Sequence, residues 1–398
     1  MAVLKITLTF ALIIYLLRRK VGLGQVMLLS SLFLGILFGV HPLKIAQVTF
    51  DAVVSKSTIN LMMALILIMF LENIMRRSGM LQQMLDSLKA LVGDKRFVMA
   101  FMPAFIGLLP SPGGARFSCP MVDETSRASN FSAEDKSFIN FWFRHIWEYI
   151  LPLYPGILLA AQLTGMNISR VVLNQLPFSI LALIIGFAFG FGRFKPERPK
   201  LSFGEGIFNS KLLLSSLWPI LAILVLVLGF KLEISLSIGL ILILLVIVKQ
   251  YKAEAILKTL RDAFSINIVV LILGIMVFKD MLSASGAVKT LPEFFSNLGI
   301  SQLLIISLLP FTIGILTGLT QAVVAISYPV LLGLTNSPSM FTLAFVAGFA
   351  GVMLSPVHLC LVLTVDYFKT TIANIYRKLI IGEGILIGLA LLLALINN

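Results

Sequence analysis

Charged side chains are scarce in this sequence. Only 12% of its 398 residues are Asp, Glu, Lys or Arg, against 59% hydrophobic, a balance that excludes a soluble domain of this size. Acid is scarcer than base: 18 Asp and Glu face 31 Lys and Arg, a formal net charge of +13. In a soluble chain that excess would suggest nucleic acid. With a mean hydropathy of +1.02 it marks cytoplasmic membrane-protein loops, which collect Lys and Arg, and no nucleic-acid partner is expected. Cysteine is limited to Cys119 and Cys360, which lack metal-site spacing and lie in apolar sequence. Both read as inert packing residues, and neither a metal nor a cofactor is expected. A Gly-x-Ser-Gly elbow is missing too, which weighs against a serine hydrolase.

What is abundant is apolar sequence in stretches near membrane-spanning length. Spans fall near 3–18, 21–40, 57–75, 137–163 and 170–192, then near 212–229, 233–248, 264–282, 341–367 and 376–396. The fold class is all-α and polytopic, with about ten transmembrane helices. The first span has one lysine before it, Arg18-Arg19-Lys20 after it and no small-residue cleavage site, so it reads as a retained helix rather than a signal peptide.

Between the third and fourth spans an amphipathic piece (SGMLQQMLDSLKALVGDKR) precedes GLLPSPGGARFSCPMVDE, residues 107–124. Pro removes backbone donors and Gly weakens helices, so this stretch cannot continue as a lipid-facing helix. Non-helical backbone at membrane depth is tolerated only where it is buried in protein or lines a wet cavity. The second half repeats the arrangement, with amphipathic SGAVKTLPEFFSNLG followed by a broken apolar segment at 301–333.

The repetition reaches individual residues. A shift of 207 positions aligns MPAFIGLLPSPGGA (102–115) with LPFTIGILTGLTQA (309–322), Pro103 falling on Pro310 and Gly107 on Gly314. The same shift places Asn60 on Asn267 and Ser78-Gly79 on Ser285-Gly286. The chain therefore divides into a first repeat at 1–192, a cytoplasmic connector at 193–211 and a second repeat at 212–398. If each broken segment is a re-entrant hairpin, each half crosses five times, and an odd number inverts the second repeat relative to the first. Loop charge agrees. Residues 18–20, 76–97, 192–200, 249–261 and 369–378 are basic and fall on one side, the cytoplasm, with both termini external.

Paired interruptions of this kind point to a secondary transporter's binding site, because helix ends present bare N–H and C=O groups to a ligand. Hairpin near 98–122 offers Ser111, Pro112, Gly113, Gly114, Arg116 and Ser118; hairpin near 301–333 offers Thr317, Gly318, Thr320 and Gln321. Each is followed by a span broken by proline, near 137–163 and near 341–367, carrying His145 and Glu148 in one and Ser355 and His358 in the other. Ionisable groups inside a membrane are functional candidates by default, although packing explains many histidines. Arg144 and Glu148 share a helix face and read as mutually neutralising. Arg116 is the foremost candidate for an anionic substrate group, with snorkelling or pairing to Asp123 or Glu124 as its rival reading. Asn60, Asn267 and Asp366 are candidates for an ion path, against helix capping for the asparagines and a solvated carboxylate for Asp366.

GLLPSPGGARFSCPMVDE, GILTGLTQAVVAISYP and LSPVHL together resemble DUF401, a family of prokaryotic integral membrane proteins, across nearly the whole chain. The resemblance implies membership of the ion transporter superfamily. It further implies two inverted repeats, each giving a re-entrant hairpin and a discontinuous helix to a midplane site, in a homodimer whose transport domain slides against a scaffold. On that pattern Ser111 to Gly114 and Thr317 to Gln321 are hairpin tips, faced by the breaks at Pro152 and Ser355-Pro356. The first tip lacks the Ser-Asn-Thr of dicarboxylate carriers. The functional expectation is a non-enzymatic carrier in the prokaryotic inner membrane, moving a small organic anion, such as a carboxylate, with Na⁺ or H⁺. The alternatives are a cation/proton antiporter using His145, Glu148, His358 or Asp366, a channel, and an intramembrane hydrolase built on Ser111 or Ser118.

Overall fold

The computed structural model describes the chain except residues 1, 92–93, 110–113, 128–129, 193, 195–202, 288–298 and 398. Ser111, Pro112 and Gly113, most of the connector and most of the second amphipathic piece lie outside the described residues. The described residues are helical, without strands. The first half contains α1 (Ala2–Arg18), α2 (Leu23–Leu37), α3 (Pro42–Val54), α4 (Lys56–Arg77) and α5 (Met80–Leu91). It continues with α6 (Lys95–Ile106), α7 (Ala115–Ser126), α8 (Ala133–His145), α9 (Pro155–Thr164) and α10 (Ile168–Phe191). The second half contains α11 (Phe203–Leu224, prolonged by a π-helical turn over Val225–Gly229), α12 (Ile234–Val248), α13 (Ala253–Ala263) and α14 (Ile266–Ala284). After residue 298 come α15 (Gln302–Thr317), α16 (Thr320–Leu331), α17 (Pro338–Met353), α18 (Leu359–Tyr367) and α19 (Ile372–Ile396).

Among the described residues, five helices are long and apolar enough to cross a membrane: Lys56–Arg77, Ile168–Phe191, Asn209–Gly229, Ile266–Ala284 and Ile372–Ile396. Shorter apolar helices, including Leu23–Leu37, Ile234–Val248 and Pro338–Met353, accompany them. Large apolar side chains such as Leu32, Ile36, Ile243, Ile247, Leu392 and Leu395 are exposed, as lipid contact requires. One stretch departs from expectation. Residues between the spans expected near 21–40 and 57–75 fold as α3, because His41 caps the Leu43 amide and Pro42 pre-sets the first turn.

Local chemistry begins and ends helices at corresponding places. Lys95 and Gln302 open α6 and α15, 207 positions apart. Each helix is capped by the residue before it, Asp94 through the Arg96 amide at 2.9 Å and Ser301 through the Leu304 amide at 3.3 Å. Each is broken after the glycine-bearing motif, and the partner helix folds back onto it, α7 on α6 and α16 on α15. The two long interrupted stretches are present as well: α8 gives way to turns over 146–154 before α9, and α17 to residues 354–358 before α18. Small residues bring these layers close. At the α15–α17 crossing, a Cβ on Gly314 would stand 2.2 Å from the Gly348 carbonyl oxygen.

Packing also joins the halves reciprocally. The second helix of each folded-back pair lies against the interrupted stretch of the other half, α16 on α9 and α7 on α18. Four helix interruptions are thereby drawn into one neighbourhood.

Candidate functional site

Helix α8 starts on a capping box formed by Ser132 and Asp135 and carries Arg144 and His145 in its last turn. Cations are favoured there by the helix dipole. Arg144 is only 4% exposed, deep inside the protein. Its guanidinium lies over Gly114, where a Cβ would stand 2.6 Å from Nη2 and 2.7 Å from Cζ. A buried cation is thus seated against the first helix break.

His145 places Nδ1 2.6 Å from the Phe141 carbonyl, one turn back. In the second half His358 occupies the residue before α18 and places its own Nδ1 3.1 Å from the Val352 carbonyl. A carbonyl can only accept, so both rings hold their proton on Nδ1. The rings stand 4.9 Å apart at 89°. Cys360 completes the group: one ligand atom from each of His145, His358 and Cys360 lies within 4.8 Å of the other two, and all three residues are buried.

Glu148 links this cluster to the other break. Its Oε2 accepts from the Thr320 hydroxyl at 3.0 Å, and its Oε1 lies 3.8 Å from His145 Nε2. Thr320 opens α16 two residues after Gly318, which adopts the left-handed conformation (φ +63°). The His358 backbone packs onto Gly318, and a Cβ there would meet His358 N and Cα at 3.0 Å. Within each half a hydroxyl fastens one interruption to the other. Tyr154 donates to the Gly107 carbonyl at 2.5 Å, and Ser355 donates to the Ile315 carbonyl at 2.7 Å.

The structure therefore brings together Gly114, His145, Glu148, Gly318, Thr320, Ser355 and His358. It leaves others aside. Arg116 is exposed on α7 and is not part of the buried group, whose guanidinium is that of Arg144. Rotation decides this: Arg116 falls on the outward face of a short helix whose inward face carries Ala115, Ser118 and Cys119. Ser118 and Thr317 donate to carbonyls of their own helices, Ala115 at 3.1 Å and Ile313 at 2.7 Å, and Gln321 is half-buried. Asn267 and Asp366 are exposed. Asn60 lines a separate cleft of about 680 Å³, with Gln162, Asn167, Arg170, Asn174 and Lys231. No serine hydroxyl is hydrogen-bonded to His145 or His358 among the described residues.

Two sequence readings need correction. Cys360 is not an isolated packing residue, because folding places it beside two histidines. Glu148 engages Thr320 and His145, so its role exceeds neutralising Arg144. Glu383 was overlooked although the signal was present: it is the one acid in the final apolar run, between Gly382 and Gly384. It is 1% exposed and shares a cavity of about 10 Å³ with His145, Tyr149 and Trp142.

The sequence matches the family described as "Protein of unknown function (DUF401)" over residues 1–396. The chain belongs to DUF401. No curated protein matches the DUF401 chain. Its fold is similar to the crystal structure of the Alcanivorax borkumensis YdaH transporter, described as having an unusual topology. The two are 15% identical, with 93% of this chain and 96% of that one covered at a TM-score of 0.61. At that identity the likeness concerns the fold. This DUF401 chain is an all-helical integral membrane protein, and its buried cluster lies where interruptions from both halves converge.

Proposed function

We propose that the protein is a secondary active transporter of a small organic anion, a carboxylate, coupled to H⁺ or Na⁺. The carrying observation is the buried Arg144 guanidinium against Gly114 at the first helix break, next in sequence to His145, whose ring stands beside that of His358 at the second. A carboxylate entering between the breaks would meet a fixed cation and the free amides of helix starts, the two elements an anion site needs. In this reading the halves are inverted repeats and the folded-back pairs are re-entrant hairpins. The equal spacing of α6 and α15 and the asymmetry of loop charge support both. The interruptions let one bundle move against the other, so that the site opens alternately to each side by an elevator-type motion. Membership of the ion transporter superfamily fits the same reading, as does the likeness in fold to a YdaH transporter.

A second reading, cation/proton antiport, is favoured by the buried Glu383, since a carboxyl inside a membrane helix is a natural proton carrier. Both are tested in proteoliposomes holding the purified chain. Saturable, counterflow-competent uptake of a labelled carboxylate driven by an inward Na⁺ or H⁺ gradient supports anion symport. Cation efflux against a proton gradient without carboxylate uptake would replace it with antiport.

A further inference from the structure

We propose that His145, His358 and Cys360 form a binding site for a borderline or soft transition-metal ion of the Zn²⁺ type. This goes beyond carboxylate transport and does not depend on it. The two imidazoles already have the second-shell arrangement of metal ligands. Each Nδ1–H is committed to a backbone carbonyl, Phe141 for one ring and Val352 for the other. That fixes the tautomer and leaves each Nε2 as a lone pair.

With both imidazoles neutral, two Nε2 lone pairs call for two hydrogens and the Cys360 thiol supplies one. Glu148 does not help, because its carboxylate 3.8 Å from His145 Nε2 is itself an acceptor. All three residues are buried, so water cannot make up the difference freely. One metal ion satisfies all three at once, taking two neutral nitrogens and a thiolate.

Distances and charge fit a metal. The three ligand atoms lie within 4.8 Å of one another. Around tetrahedral zinc, bonds of ~2.0–2.3 Å set ligand atoms ~3.3–3.8 Å apart, so rotations moving each atom about 1 Å close the site. Nitrogen and sulfur donors select Zn²⁺ and its soft neighbours over Na⁺, Mg²⁺ or Ca²⁺, which take oxygen. Binding Zn²⁺ releases the thiol proton. Thiolate and the Glu148 carboxylate together balance the divalent charge, which matters with the Arg144 cation next in sequence to His145.

The ligands come from both halves of the chain, His145 from the end of α8 and His358 and Cys360 from the start of α18. A bound ion would tie the two interrupted stretches together directly.

The test uses the purified full-length chain, stripped with chelator and titrated with Co²⁺. We expect one equivalent to bind, with tetrahedral visible bands and a thiolate-to-cobalt charge-transfer band in the near ultraviolet, and Zn²⁺ to displace it. Cys360→Ser should remove the charge-transfer band, whereas Cys119→Ser should keep it. His145→Gln and His358→Gln should each weaken Co²⁺ binding about tenfold or more. Absence of stoichiometric Co²⁺ binding by the wild-type chain would overturn the site without recourse to any variant. So would a charge-transfer band that survives Cys360→Ser.

Discussion

The Thr320 hydroxyl donates to Glu148 Oε2 across 3.0 Å, joining residues 172 positions apart in the sequence. This bond ties the start of α16 to the turn that follows α8, and so couples a helix break in one half to an interruption in the other. Thr320→Val keeps the shape and removes the donor. Leaving a largely buried carboxylate without its partner costs about 1–3 kcal/mol. The thermal unfolding midpoint of the variant should fall, and Thr320→Ser should restore it. An unchanged midpoint in Thr320→Val would mean that the bond does not couple the halves.

Arg144 and Arg116 separate cleanly by burial. Arg144→Gln removes a cation that faces Gly114, while Arg116→Gln changes an exposed side chain. Removing one partner of a buried charged pair costs about 2–5 kcal/mol, so KM for a transported carboxylate should rise about tenfold or more in Arg144→Gln. Arg116→Gln should transport as the wild type does. Arg144→Lys should recover little, because an ammonium does not reproduce the planar fork. The opposite ranking of Arg144→Gln and Arg116→Gln would return the anion contact to α7.

How far the sequence reveals this arrangement depends on the kind of information. Helix breaks were legible because Pro and Gly act locally: the interruption expected at Pro152 falls within the turns over 146–154, and that at Ser355-Pro356 within residues 354–358. Gly318 ends α15 in the left-handed conformation, a local property that glycine signals in the sequence. Which basic residue faces inward was not legible, because Arg116 and Arg144 differ only in the rotation of short helices that tertiary packing sets. Cys360 was hidden more deeply. Its neighbour His358 is two positions away, but His145 lies 215 positions earlier, so the full cluster forms only on folding. Residues 41–56 misled for a simpler reason: their polar content resembles a loop, and the helix they form is held by a cap and a proline.

Gly318 should tolerate no side chain. At φ +63° an L-residue costs roughly 1–2 kcal/mol, and a Cβ would also press on the His358 backbone at 3.0 Å. Gly318→Ala should therefore lower stability and push the two breaks apart, reducing uptake. Gly165 offers the control, since it has a similar φ of +70° with open space around its Cβ position. Gly165→Ala should lose stability to a similar degree without losing transport. Equal loss of transport in both would reduce the Gly318 effect to general destabilisation.

Glu383 gives the sharpest test of proton coupling. It lies 1% exposed in α19, with the Tyr149 hydroxyl as the polar side-chain group that interacts with it. The groups around it are Tyr149 and His145, which line the same small cavity, whereas Lys378 on the same helix is engaged with Asp135 at 2.5 Å. Among the described residues, no lysine or arginine lines that cavity. Glu383→Gln keeps the shape of the protonated side chain and cannot ionise. The unfolding midpoint should stay or rise, because an uncharged group in apolar surroundings costs less than a carboxylate. If Glu383 carries the coupling proton, solute binding by thermal shift should persist in Glu383→Gln while uptake driven by a pH gradient disappears and counterflow continues. Wild-type acceleration of uptake by a pH gradient in that variant would remove Glu383 from the coupling path, and transport driven only by Na⁺ in both proteins would assign the coupling to sodium.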